Sequence, residues 1–243
     1  MSVLGHFLEE EGLATTLVSL VRLHSEKVRP PRALWVPFEL GRPLGPPHDR
    51  VLQRRVLESA LALLESDEGP CLLVDFDHEG DASEPDANWQ APWSVVQSVD
   101  VSDINGAMQA LKEEIERLEP VYEKVKAARG STMGVAKLSI GDIGAHIASF
   151  LDGPHENSPR EDLSAAMVLR FGTDDLKSFY LETAAANGRP SSWQLGEWFW
   201  RNTMAGAILV ALRTAALDSS DKRFRTVGGS FLVPRIWVAE LNL

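Results

Sequence analysis

The sequence is poor in the residues on which most recognisable chemistry is built. Cys71 is its single cysteine, which excludes an intramolecular disulfide, a Cys-x-x-Cys redox pair and a cysteine-based zinc site. Histidine is scarce as well. Of six in 243 residues, only His146 and His155 lie beyond residue 100, too few for a three-histidine metal site in the C-terminal part alone. Positive charge is in deficit: 24 Lys and Arg against 35 Asp and Glu leave a formal net charge of −11. Nucleic acid and anionic membranes both require a basic face, so neither is an expected partner. No apolar run approaches the ~18 residues of a membrane span. Residues 1–6 lack the basic and apolar regions of a signal peptide, and a cytoplasmic location is the expectation. No P-loop, GxGxxG, GxSxG or HExxH pattern occurs.

What the chain does have is proline and glycine, concentrated in residues 29–49 around the short apolar run 33–36. Glycine admits positive φ and proline fixes φ near −65°, so a segment punctuated this densely reads as a rigid loop leaving a strand. Loops in that position are where α/β folds place ligands. Arg42, between Gly41 and Pro43, is a forked cation suited to a carboxylate or phosphate, and Glu39, Gly41, Gly45 and His48 complete the candidate ligand-binding set there. The plain structural alternatives are a salt bridge from Arg42 to Glu39 or Asp49, and a helix cap at Asp49.

Along the chain, residues 3–12 read as a short helix ending at Gly12, 14–20 as a buried strand, 21–27 as a helical turn or two, and 33–36 as a second strand. Asp49 caps a helix running to about Ser66, and 71–76 is a third strand whose continuous apolar run suits a parallel sheet. The order is β-α-β-α-β, a small α/β domain over 1–76, followed by an acidic linker over 77–100.

From residue 101 the signal is helical, and a bundle of about four helices is expected over 101–243. Ile104, Met108, Leu111, Ile115, Leu118, Tyr122 and Val125 form a 4-3-4-3 seam interrupted by Pro120, where a kink or split is expected. Ser139 caps a second helix. Ser158-Pro159-Arg160-Glu161 has the pattern of a capping box opening a third. Ser191 or Ser192 opens a fourth that runs to about Leu217, and residues 227–243 read equally as helix or edge strand. In this part Glu197 and Arg201 stand four apart among Trp193, Trp198 and Trp200, as lining of an aromatic pocket or as a surface ion pair worth under ~0.5 kcal/mol. Asp142 and His146, also four apart, offer a metal-assisted alternative, or a helix cap beside a half-buried histidine.

Glu11-Gly12-Leu13-Ala14-Thr15-Thr16, followed by Arg32-Ala33-Leu34-Trp35-Val36-Pro37-Phe38-Glu39-Leu40-Gly41-Arg42-Pro43-Leu44-Gly45, resembles the C-terminal part of the selenoprotein B subunits of the glycine, sarcosine, betaine and D-proline reductases. There a GIPT strand is followed by a second strand and a proline-glycine PLG loop. The match covers about residues 8–75. Those reductases act through a Cys-x-x-Sec type motif that precedes the matched part. This sequence contains no such motif, and Cys71 lies on an expected buried strand, so the resemblance implies the fold and not the reductive step. Two readings follow: a protein that binds a small anionic metabolite where the 41–45 loop meets the helical bundle, or a non-catalytic subunit that docks onto a separate redox protein. A three-stranded sheet in so short a stretch, together with the many tryptophans, also leads to the expectation of a homodimer.

Overall fold

The structure, a computed structural model, describes residues 2–38, 41–45, 49–66, 68, 71–78, 87–93 and 101–243. The chain divides into two compact units, Met1–Glu84 and Pro85–Leu243, with the boundary inside the acidic stretch read as a linker. Among the described residues no helix is long and apolar enough to cross a membrane.

The first unit contains α1 (Ser2–Glu10), β1 (Leu17–Ser19), α2 (Arg22–Val28), β2 (Arg32–Trp35), α3 (Arg50–Ala62) and β3 (Leu72–Asp75). The three strands are parallel, in the order β1-β2-β3, with Val18, Leu34 and Val74 in register. Successive side chains of a strand alternate between faces. One face therefore presents Leu34, Val36, Val74 and Phe76 to Leu52, Val56, Ala60 and Leu63 of the α3 segment. The other presents Ser19 and Asp75 to α2, where Ser19 bonds Ser25 at 2.6 Å and Arg22 bonds Asp75 at 3.0 Å.

The first strand is shorter than its β-branched run predicts. Thr15 donates both its backbone N–H (2.6 Å) and its hydroxyl (3.0 Å) to the Glu9 carboxylate, so this residue is engaged locally rather than in the ladder. The Thr15 N–H holds the Glu9 carboxyl below its ordinary range, and the same carboxylate meets Arg32 at 2.6 Å.

The second unit is helical, but it is not a bundle of about four. Its described residues form α4 (Ile104–Arg129), α5 (Ile140–Ser149), α6 (Ala165–Ala184), α7 (Ser192–Asn202), α8 (Met204–Asp218), α9 (Lys222–Val227), a π-helical turn (Gly228–Leu232) and α10 (Arg235–Glu240). The single helix expected from Ser191 to Leu217 breaks at Thr203, which is extended at φ −127°, ψ 148°. Its hydroxyl donates to the Phe199 carbonyl (2.7 Å) and accepts the Gly206 N–H (3.0 Å), ending α7 and capping α8 together. Gly206 is obligatory there, because a Cβ would overlap the Phe199 carbonyl oxygen.

The start signal at Ser158 is spent on a turn: its hydroxyl accepts the Arg160 N–H at 3.1 Å, while the Arg160 guanidinium binds the Ala136 carbonyl at 2.8 Å. Helix α6 begins six residues later, with Ser164 as its cap. Helix α4 runs unbroken through Pro120, which lies on the exposed side where water can take the freed carbonyl.

Four of the seven seam residues of α4 are spent inside this unit, while Met108 stays exposed and Ile104 and Val125 are half-buried. Leu111, Ile115, Leu118 and Tyr122 are buried, and α4 packs on α5, α6 and α8. Most of the tryptophans are also core rather than partner surface. Trp198, Trp200 and Trp237 are buried, and the indoles of Trp89 and Trp93 donate to the carbonyls of Ala184 (2.9 Å) and Asn202 (2.6 Å).

Candidate functional site

Parallel α/β sheets leave a crevice at the carboxyl ends of their strands, because the chain departs there toward opposite faces. In the first unit this edge holds a space of about 510 Å³ lined by Asp49, Val51, Leu52, Arg55, Asp77 and His78. Asp49 caps α3 through the Leu52 N–H at 3.0 Å, which brings the first turns of that helix to the ends of β2 and β3. Arg55, on the second turn, donates to the Asp77 carbonyl (3.2 Å) and lies 5.5 Å from the Phe76 ring centre. His78 is fixed by the same aromatic wall, edge-on to Phe38 at 5.3 Å and stacked on Phe76 at 6.3 Å. Phe38 and Phe76 are themselves buried, so the guanidinium and the imidazole rest on a rigid base.

The glycine loop adjoins this crevice. Gly41 and Gly45 both have positive φ, 92° and 87°, and the Gly45 N–H closes a turn on the Arg42 carbonyl at 2.9 Å. Gly45 packs against Leu52 and Phe38, two of the groups that build the crevice wall. The structure thus brings Gly45 to the site, with Arg42 exposed in the same turn. Glu39 and His48 lie outside the described residues. Cys71 precedes β3, at the amino end of the sheet, where its thiol donates to the Arg29 carbonyl at 3.1 Å.

Sequence reasoning missed Arg55, Asp77 and His78. Residue 77 opens the acidic stretch, and Arg55 resembles any solvated helix position. The usable signal was the carboxyl end of the third strand, to which the rule applied to the second strand extends equally.

In the second unit Glu197 and Arg201 pair with each other at 3.1 Å on the surface of α7, and Arg201 also donates to the Glu240 carbonyl at 3.2 Å. Asp142 exchanges capping bonds with Ser139, accepting its hydroxyl at 2.7 Å. His146 is buried and donates Nε2–H to the Ala165 carbonyl at 3.0 Å. Both line a polar cavity of about 700 Å³ with Ser149, Asp152 and His155. Among the described residues no three His, Cys, Asp or Glu side chains are grouped to hold a metal.

Burial holds the His146 imidazole below its ordinary value. The Ala165 hydrogen bond opposes this shift and the neighbouring His155 reinforces it. A folded value below the unfolded one means that the stabilisation is complete above about pH 6.5 and is lost as pH falls through the folded value. Urea midpoints at neutral pH and near pH 5 should therefore differ more for the native chain than for His146→Gln, which keeps a donor for Ala165. Equal differences would place the acid sensitivity on another group.

No family model, curated protein or solved structure matches the chain.

Proposed function

We propose that the chain binds a small anionic metabolite in the crevice at the carboxyl edge of the first unit's sheet. The observation that supports this reading is a pre-positioned arginine, Arg55, lining one space with His78 at the ends of two adjacent parallel strands. Arg55 is held by the Asp77 carbonyl and the Phe76 face before any ligand arrives, so little side-chain freedom is lost on binding. Its fork still has donors for a carboxylate or phosphate oxygen. The carboxylates of Asp49 and Asp77 on the same rim repel polyanions and favour a ligand with one negative group.

The resemblance of residues 8–75 to the reductase B subunits supports a metabolite-handling role for this segment. A reductive step is not part of the proposal, because the lone thiol lies at the other end of β3 from His78. Calorimetric titration with short monocarboxylates, dicarboxylates and phosphate monoesters tests it. A singly anionic compound should bind, and Arg55→Ala should weaken it at least about tenfold, the loss of one charge-assisted hydrogen bond. Binding unchanged in Arg55→Ala but abolished in Arg42→Ala would move the site to the glycine loop.

A further inference from the structure

We propose that the second unit binds a primary alkylammonium ligand across the outer side of α5, with its ammonium group in the polar cavity beside His146 and its alkyl chain in the groove between α4 and α5. The cavity of about 700 Å³ offers acceptors without a cation to meet them. His146 is 8% exposed and spends its Nε2–H on the Ala165 carbonyl, so Nδ1 is left as a lone-pair nitrogen in a side chain that lines this space. Burial disfavours the imidazolium and keeps that lone pair available. Asp142 accepts the Ser139 hydroxyl through Oδ2 at 2.7 Å and has Oδ1 left over, and Asp152 lines the same cavity. The Ser149 hydroxyl is already committed, to the His146 carbonyl at 2.6 Å and to His155 Nε2 at 2.8 Å. Two carboxylates and an imidazole lone pair, with no Lys or Arg among the described lining residues, call for a cation that carries N–H donors.

A second space, of about 600 Å³, lies between α4 and α5 and shares Ala145 with the first. It is lined by Met108, Leu111 and Ile115 of α4 and by Gly141, Gly144 and Ala148 of α5. Gly144 sets how closely the two helices approach, since a Cβ there would lie 2.6 Å from Ile115 Cδ1. Ala145 is exposed where the two spaces meet, and its single methyl group leaves room for a chain to pass from one to the other. The groove adds Glu116 and Glu119, and its Lys112 faces Glu116 at 3.7 Å, so the charge around both spaces favours a cation. Apolar walls with a few polar groups converging at one end are the usual form of a small-molecule site. The proposal is independent of the anion crevice, which belongs to the first unit.

Calorimetric titration of the full chain with ethyl-, butyl- and hexylammonium, tetramethylammonium and hexanoate tests the proposal. Hexylammonium should bind, with affinity rising about two- to fourfold per methylene along the series. Tetramethylammonium has the charge but no N–H, and hexanoate has the chain but the opposite charge. Each should bind at least about tenfold more weakly than hexylammonium. Ala145→Leu fills the junction with a good helix former at an exposed position, so it should keep the circular dichroism of the native fold. It should lower the affinity for hexylammonium at least about tenfold, and Asp152→Asn should lower it about fivefold. No binding of hexylammonium at millimolar concentration would overturn the proposal. So would an affinity that ignores chain length, hexanoate binding as tightly, or unchanged binding in Ala145→Leu or Asp152→Asn.

Discussion

Replacing Asp175 by alanine is expected to lower the melting temperature of the second unit by roughly 10 °C, from a loss of about 3–4 kcal/mol. Asp175 is fully buried in α6, and its carboxylate accepts three consecutive backbone N–H groups: Gly134 at 2.9 Å, Val135 at 3.0 Å and Ala136 at 2.8 Å. These belong to the segment joining α4 to α5. Helix α6 also holds that segment through Glu182, which accepts the Thr132 N–H (2.8 Å) and hydroxyl (2.7 Å). Alanine leaves three donors without an acceptor. Asparagine restores one oxygen but sets an NH₂ group against the remaining donors, so it should cost nearly as much. Thermal unfolding and hydrogen exchange at amides 134–136 read the result. A shift below about 2 °C with unchanged protection would show that the segment is held by its other contacts.

Glu114→Ala should cost about 3 kcal/mol. This carboxylate, from α4, caps α8 by accepting the N–H groups of Met204 (2.7 Å) and Ala205 (3.3 Å), and it also accepts the Tyr180 hydroxyl at 2.9 Å. Burial pushes the Glu114 carboxyl up, while its three donors and Arg117 pull the other way. A folded value above the unfolded one means that its favourable contribution is complete below about pH 4.3 and declines as pH rises through the folded value. Glu114→Gln keeps one acceptor and carries no charge, so its stability should vary less over that interval. Glu114→Ala should be the least stable of the three at neutral pH. Alanine and glutamine variants melting together would show that acceptance by the side chain matters little.

The β-α-β-α-β order and the caps at Asp49 and Ser139 were legible because their causes are local. A short run bounded by proline or glycine, or an Asx or Ser at a helix start, can be read within a few residues. The break at Thr203 was not, since half of its cause is Glu114, about ninety residues earlier in the chain. Ser158 misled for a related reason: its neighbour Arg160 is claimed by the Ala136 carbonyl, which fixes a turn where the sequence pattern favours a helix. The tryptophans were misjudged because large side chains count as surface or core only once their neighbours are known. The crevice was half legible. Its positive-φ glycines announce themselves, whereas Arg55 and His78 gain meaning only when two strand ends are placed side by side.

The two units are unequally furnished inside. Among the described residues eight buried apolar residues make the main core of the first, and a far larger set with five buried aromatic rings on α6 and α7 makes that of the second. Two transitions are expected in a heat capacity trace of such a chain, and a single one would show that the units unfold together. The lower transition is expected from the sparser core, which also carries the crevice. A ligand held in the proposed crevice at a hundred times its dissociation constant would add about 2.7 kcal/mol to that unit. On the proposed reading, the lower transition is the one whose midpoint would report occupancy of the crevice.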